Sequence, residues 1–376
     1  MKNCIKAFLF IFLINCTEAF SQLDNTELEF TLPVTPQDSN TLKFTINTLG
    51  YLRNNEFSND IADGFTLFGY QFQPTLSYFF GKYFRIDAGV YLLNDFGESD
   101  FSDIEPLLTI HYHKNNFEIL FGALEGSYNH RLIEPLYGFE RGINDRFENG
   151  VQFRYITDKL FSDVWVDWEN AIFPGDTAQE EIIGGASLDY RWIDNSNWSF
   201  STPVQLLIRH LGGQIDLSDE PTLTQVNLAT GLNLERKFNS RIKRAGLSAY
   251  FVGFQDNSGT VRNFEDGAGL YINGTLSTKR LDVIASYWQS EEFQSFRGGD
   301  LYQSVSRTVK TPDVIERNRG LLFLRFLYHL PLADYAQVGI RFEPHYDLEN
   351  ESMEFSHGFY LKLNTEFTLV KFNKNK

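Results

Sequence analysis

The chain has 376 residues, 36 of them Phe and 18 Tyr, and a formal charge of −16. The negative charge excludes nucleic acid as a partner. No segment after residue 22 holds the roughly 18 apolar residues of a membrane helix, so any membrane crossing is made by strands.

The first residues read as an address. Lys2 and Lys6 precede a short apolar run from Ala7 to Ile14, and Ala19-Phe20-Ser21 is a small-x-small cleavage site. The expectation is a signal peptide over 1–21 and a mature chain from Gln22. Cys4 and Cys16 leave with it, so the mature chain has no disulfide. Residues 22–40 are polar, carry Pro33 and Pro36, and read as an N-terminal arm on the periplasmic side.

From Thr41 to Phe372 the sequence repeats one pattern. Phe68, Tyr70, Phe72, Pro74, Leu76 and Tyr78 alternate with polar residues up to Gly81-Lys82, and Phe84, Ile86, Ala88, Val90 and Leu92 alternate after it. A period of two marks a strand with one apolar face. Each arm is long enough for the roughly 9–11 residues of a tilted membrane strand. Later segments repeat the pattern, with Leu108, Ile110 and Tyr112, then Phe117, Ile119 and Phe121, and at the end Phe359, Leu361, Leu363, Phe367 and Leu369.

Counting along the chain predicts about sixteen strands, within fourteen to eighteen. Their connections alternate in length. Gly81-Lys82, 114–116, 157–159, 194–197, 238–242, 277–280 and 331–334 are short, and 54–64, 94–103, 125–147, 170–181, 210–223, 256–266, 290–317 and 347–354 are longer. Short periplasmic turns and long outer loops are the habit of outer-membrane barrels. The predicted fold is all-β: a transmembrane antiparallel up-and-down β-barrel over 41–372, in the cell outer membrane, with both termini periplasmic.

In this topology the chain resembles the sixteen-stranded general diffusion porins. The resemblance implies that the third long connection, 125–147, folds into the lumen as a constriction loop. The chain departs from that family in two places. GSYNHRLIEPLYGFERGINDRFENG lacks the family's constriction motif, and the last strand does not end on a terminal aromatic.

Parity places charge on the inner wall. Arg85, Asp87, Glu118, Arg154, Asp163, Asp167, Asp189, Arg191, Arg341 and Glu343 are the candidates for a lumen field. In the loop, Arg131, Glu134, Tyr137, Glu140, Arg141 and Arg146 are the constriction candidates, with Arg131, Arg141 or Arg146 expected to face wall carboxylates such as Asp163, Asp167 or Glu118. Loop 290–317 has less apolar content and is expected to be mobile.

Catalytic motifs such as G-x-S-x-G and H-E-x-x-H are missing from the sequence, so the expectation is a protein that is not an enzyme. His111 and His113 share a strand and supply two ligands, too few for a metal site. His210 and His357 have outward parity near the outer rim, without a serine beside them. Carboxylates of the outer loops, among them Asp95, Glu98 and Asp216, offer at most weak Ca²⁺ sites, and no cofactor is expected. The leading function is passive diffusion of small hydrophilic solutes, with outer-membrane lipid around the barrel and a homo-oligomer or surface lipoprotein as partner. The alternatives are a barrel subunit of an export, assembly or surface-capture complex and, third, a barrel hydrolase.

Overall fold

A computed structural model describes residues 25–372. The proposed signal peptide and its cleavage site lie outside them. Sixteen strands follow one another: β1 (Thr41–Glu56), β2 (Thr66–Phe80), β3 (Phe84–Asp95), β4 (Asp103–Lys114), β5 (Phe117–Ala123), β6 (Asn149–Ile156), β7 (Leu160–Asn170), β8 (Glu181–Asp194), β9 (Trp198–Leu211), β10 (Leu223–Lys237), β11 (Arg244–Asp256), β12 (Asp266–Ser277), β13 (Leu281–Glu291), β14 (Asn318–Ala333), β15 (Ala336–Asp347) and β16 (Ser352–Lys371). Each pairs antiparallel with its chain neighbours. β1 closes the barrel on β16, from Thr41 opposite Lys371 to Glu56 opposite Phe355.

The alternation seen in sequence is the alternation of the wall. Leu108, Ile110, Phe121, Val204, Ile208, Leu228 and Phe359 are exposed on the outer face, where lipid rather than water removes the cost of apolar surface. The opposite face carries Leu49, Tyr51, Trp165, Leu207, Tyr250, Tyr271, Trp288 and Tyr360, all buried. An inner face this apolar needs something to pack against, and the chain supplies it.

β5 and β6 are the two shortest strands, with 7 and 8 residues. The wall is given up early there because segment 124–148 turns inward. Gly122 makes the exit: its φ is +100°, and a Cβ would lie 2.0 Å from the Leu108 carbonyl oxygen. Residues 25–40 contain two 3-10 turns, Thr26–Leu28 and Pro36–Asp38. They lie against the short-turn end of the barrel, where Glu27 pairs with His329 and Lys362 donates to the carbonyls of Glu27 and Glu29.

Candidate functional site

Two connections fill the lumen. The first is 124–148, which contains the connection 125–147 that the porin resemblance implied would fold inward. Its Ile133, Leu136, Tyr137, Phe139 and Ile143 are buried and pack on wall residues in two apolar clusters. The second is 292–317, whose inward fold corrects the expectation of a mobile loop. Phe293 and Tyr302 are fully buried among Trp288, Tyr271 and Phe323. Phe293 and Tyr302, with the partly buried Phe296, Leu301 and Val305, were enough apolar content, because the wall beside them is aromatic too. The two segments touch backbone to backbone: a Cβ on Gly138 would lie 3.0 Å from the Gly299 Cα, and one on Gly298 would lie 2.1 Å from the Pro135 carbonyl.

Ion pairs tie these segments to the wall. His130 sits between Asp163 of β7 (Nδ1 to Oδ2, 2.8 Å) and Glu148 (Nε2 to Oε2, 2.7 Å), stacked 3.5 Å from the Trp165 ring. Burial opposes its charge, but Glu148 and Asp163 outweigh burial and push its pKa up to about 9. Arg297 of the second segment donates to Glu148 at 2.8 Å and to Asp167 and Glu169 at 2.5 Å. Glu134 receives Arg325 at 2.5 Å and the Tyr302 hydroxyl at 2.8 Å. Glu140 accepts from Arg53 at 3.1 Å and from Asn55 at 3.1 Å.

Of the arginines of the first segment, Arg141 approaches a wall carboxylate, Glu169 of β7, and Arg146 turns to the arm. Arg131 lies 3.9 Å over the Phe161 ring, Arg141 pairs with Asp145 at 2.6 Å and approaches Glu169 at 3.8 Å, and Arg146 pairs with Glu29 of the arm. Asp163 is taken by His130, Asp167 by Arg297 and Glu118 by Arg154. The segment's own histidine and the arginine of the other segment were the missed residues. Nothing local marks them, because the pairing depends on which two loops meet inside the barrel. Of the remaining wall candidates, Arg85 pairs with Asp87 at 2.8 Å, and Arg341 pairs with Glu343. Asp189 is half-buried on β8, and Arg191 meets Asp194 in its own turn at 3.3 Å.

A cavity of about 420 Å³ opens on the long-loop side of the in-folded segments. A smaller one of about 130 Å³ lies on the arm side and is lined by Glu29, Arg85, Asp87 and Arg146. The larger cavity reaches three adjacent strands at the barrel seam. Ser356 of β16 stands directly opposite Asn55 of β1 and Glu343 of β15. His345 stands opposite Glu354, so it is the diagonal neighbour of Ser356 on the inner face, a spacing that long side chains span. His345 Nε2 is 3.4 Å from Glu354 Oε2. Glu354 is itself fixed by the Ser58 amide (2.6 Å), the Ser58 hydroxyl (2.9 Å) and Asn59 (2.6 Å). The imidazole is held between Phe57 and Phe323, with ring centroids 5.2 and 5.4 Å away. Ser356, His345 and Asn55 line the cavity. A hydroxyl, an imidazole and a carboxylate that steers the imidazole are the parts of a nucleophile–base–orienter set. Parity alone places Ser356 and Glu354 inside. The β1–β16 closure that brings Asn55 opposite Ser356 is a contact over three hundred residues, invisible to local pattern.

On the outer face, His210 Nδ1 lies 2.9 Å from the Thr224 hydroxyl. The neighbour that sequence reasoning sought as a serine is thus a threonine on the next strand. His111 lies 3.8 Å from both Glu118 and Glu125, but Arg154 already bridges those glutamates at 2.6 and 2.5 Å. Among the described residues, no group of three or more His, Cys, Asp or Glu side chains is arranged to hold a metal ion.

Comparisons bear on these alternatives. A family model described as lipid A 3'-O-deacylase-type matches residues 34–372. This overturns the expectation that the protein is not an enzyme, since a deacylase is a hydrolase; what misled was the reliance on short linear motifs. No curated protein matches the chain in sequence. Among solved structures, the chain is similar to a loop-deleted form of OmpT, an outer membrane protein of Vibrio cholerae. The TM-score is 0.52 at 12% identity, with 86% of this chain and 99% of that one covered. OmpT of Vibrio cholerae expressed in the outer membrane gives 0.51 at 10% identity, with 86% and 97% covered. These likenesses support the porin-type outer-membrane barrel fold.

Proposed function

Because the chain belongs to the lipid A 3'-O-deacylase-type family, we propose that it is an outer-membrane ester hydrolase that removes an acyl chain from a glycolipid sugar. The family match over nearly the whole described chain carries the reading. The seam constellation supplies residues able to do the chemistry. In this mechanism Ser356 Oγ attacks the acyl carbonyl while His345 takes its proton, and His345 returns that proton to the departing sugar oxygen. Water, deprotonated by His345, then releases the fatty acid and restores Ser356. Glu354 holds the imidazole and stabilises its charged form. Asn55, directly opposite Ser356, has an amide nitrogen that donates to Glu140 and keeps a second N–H for the oxyanion. Passive diffusion, which the porin resemblance implied, is opposed by the filled lumen.

The test is fatty-acid release from lipid A and from its dephosphorylated form in vesicles holding the purified full chain, followed by mass spectrometry. Ser356→Ala and His345→Ala are each expected to lower the rate about a hundredfold or more, with strand content by circular dichroism unchanged. Wild-type release by both variants removes the seam from the mechanism. The outward pair at 2.9 Å motivates a second site: loss of release on His210→Ala or Thr224→Ala, with the seam variants active, would place catalysis on the lipid face. No release by the wild-type chain removes the hydrolase reading.

A further inference from the structure

The long-loop-side cavity is built for a sugar and against a phosphate. Its lining includes Phe57 and Phe65, and an aromatic face is electronegative and accepts the weakly positive C–H face of a pyranose. Phe139, Tyr302 and Phe323 also line it, but their faces are engaged by Tyr128 and Arg341, by one another and by Arg325. Hydroxyls and amines need acceptors beside those rings. Asp63, Glu134, Glu140, Asp145, Asp300 and Glu343 line the same space, against three arginines, Arg53, Arg141 and Arg325. The arginines are spent: Arg53 pairs with Glu140 and Glu343, Arg141 with Asp145 and Arg325 with Glu134. Neither Asp63 nor Asp300 has an ion-pair partner among the described residues. Asn55 is 3% exposed, lines the cavity, and its carbonyl oxygen meets no protein donor. Buried acceptors without donors are costly, and a ligand hydroxyl or ammonium removes that cost.

We propose that this cavity selects a neutral or amine-bearing sugar and rejects a phosphorylated one, with Asp63, Asp300 and Asn55 as specificity-determining residues. The inference rests on the hydrolase reading for the role of the sugar as the acylated part of a substrate. The selectivity itself follows from the charge of the lining. A phosphate monoester brings about −1.5 to −2 charges at neutral pH. Inside a confined space with unpaired carboxylates and no free cation in its lining, that charge is repelled and weakly screened. An ammonium is attracted by the same field. The burial of Asp300, against the pull of Arg307 and helped by Glu140 and Asp63, raises its pKa to about 6, so it is largely ionised at neutral pH.

Calorimetric titration of the full chain in detergent with diglucosamine, glucosamine, N,N'-diacetylchitobiose and glucosamine 6-phosphate tests selectivity without catalysis. Diglucosamine is expected to bind most tightly, and glucosamine 6-phosphate about tenfold or more weaker than glucosamine itself. Asp63→Asn with Asp300→Asn is expected to abolish the preference for the amine while diacetylchitobiose still binds; retained binding of that neutral sugar also shows that the cavity remains folded. Equal binding of phosphorylated and unphosphorylated sugar, or no sugar binding, overturns the proposal. Fatty-acid release from lipid A and from its dephosphorylated form separates the two ideas. Equal release from both sinks the selectivity and leaves the hydrolase. Selective sugar binding with no release from either sinks the hydrolase and leaves a sugar-binding cavity.

Discussion

His130 shows how one side chain can hold a loop inside a barrel. Ser127 and Arg131, either side of it, take left-handed backbone conformations, with φ of 56° and 58°, a cost that only surrounding structure sustains. The return is an imidazolium clamped by Glu148 and Asp163 on the face of Trp165. Its pKa rises from 6.5 to about 9 on folding. A raised pKa means that the protonated form stabilises the fold, so the contribution is complete below about 6.5 and is lost as pH climbs through 9. Glu148 runs the other way: burial is outweighed by His130 and Arg297, and its pKa falls from 4.5 to about 2. Its share is present above 4.5 and lost as pH falls through 2. Amide hydrogen exchange over residues 127–147, corrected for intrinsic rates, should therefore show most protection between about pH 4.5 and 6.5, with protection falling toward pH 9. His130→Leu leaves Asp163 buried without a cation and Glu148 with Arg297 alone, and is expected to cost the segment about 3–5 kcal/mol. The same exchange profile measures it. A flat profile from pH 6 to 10 in the wild-type chain would mean that the clamp does not hold the segment.

At the scale of elements, the in-folded segments behave as one unit because they share backbone contact and share Arg297. Gly298→Ala places a methyl 2.1 Å from the Pro135 carbonyl, so the backbones must part. The expected result is protease cleavage within 124–148 and 292–317 together, in a barrel that stays intact on gels. Cleavage of one segment alone would show that they are independent. Deleting residues 128–144 only is expected to leave planar-bilayer conductance low, since Phe293, Arg297 and Tyr302 still occupy the lumen. Deletion of the second segment as well is expected to give stepwise conductance. Strand order and parity were readable from alternation and loop length, because both are local, and the inward turn of the third long connection was what the porin resemblance implied. The fate of 292–317 was not: its apolar residues are few, and Phe293 and Tyr302 gain a home only because Trp288, Tyr271 and Phe323 of the wall face inward. Candidate site residues divide the same way. Glu343 was placed inside by parity, and the same parity carries His345 two residues on, whereas Ser356 beside Asn55 required the closure of the first strand on the last.

The whole molecule has two unlike ends. One carries the short turns, ringed by exposed Phe80, Tyr83, Trp192, Trp198 and Tyr335, the aromatics that settle at a membrane interface. The arm 25–40 is fastened there by Glu27, Glu29, Lys43 and Lys362. The other end carries the long polar loops and the mouth of the larger cavity. A barrel that inserts from the periplasm leads with its long loops, and a hydrolase of an outer-leaflet glycolipid needs its cavity on that leaflet. On both grounds we propose that the long loops lie at the cell surface and the two termini in the periplasm. An epitope inserted at 217–219, between β9 and β10, should then be labelled by antibody on intact cells, and one appended after Lys376 only once the outer membrane is permeabilised. Tight turns such as Gly81-Lys82, where φ at Gly81 is +64°, should resist added protease from outside, while the loop 171–180 should be cut. Labelling of the C-terminal epitope on intact cells, with the 217–219 epitope hidden, would reverse the orientation. It would also put the cavity on the side of the membrane where a surface glycolipid cannot reach Ser356.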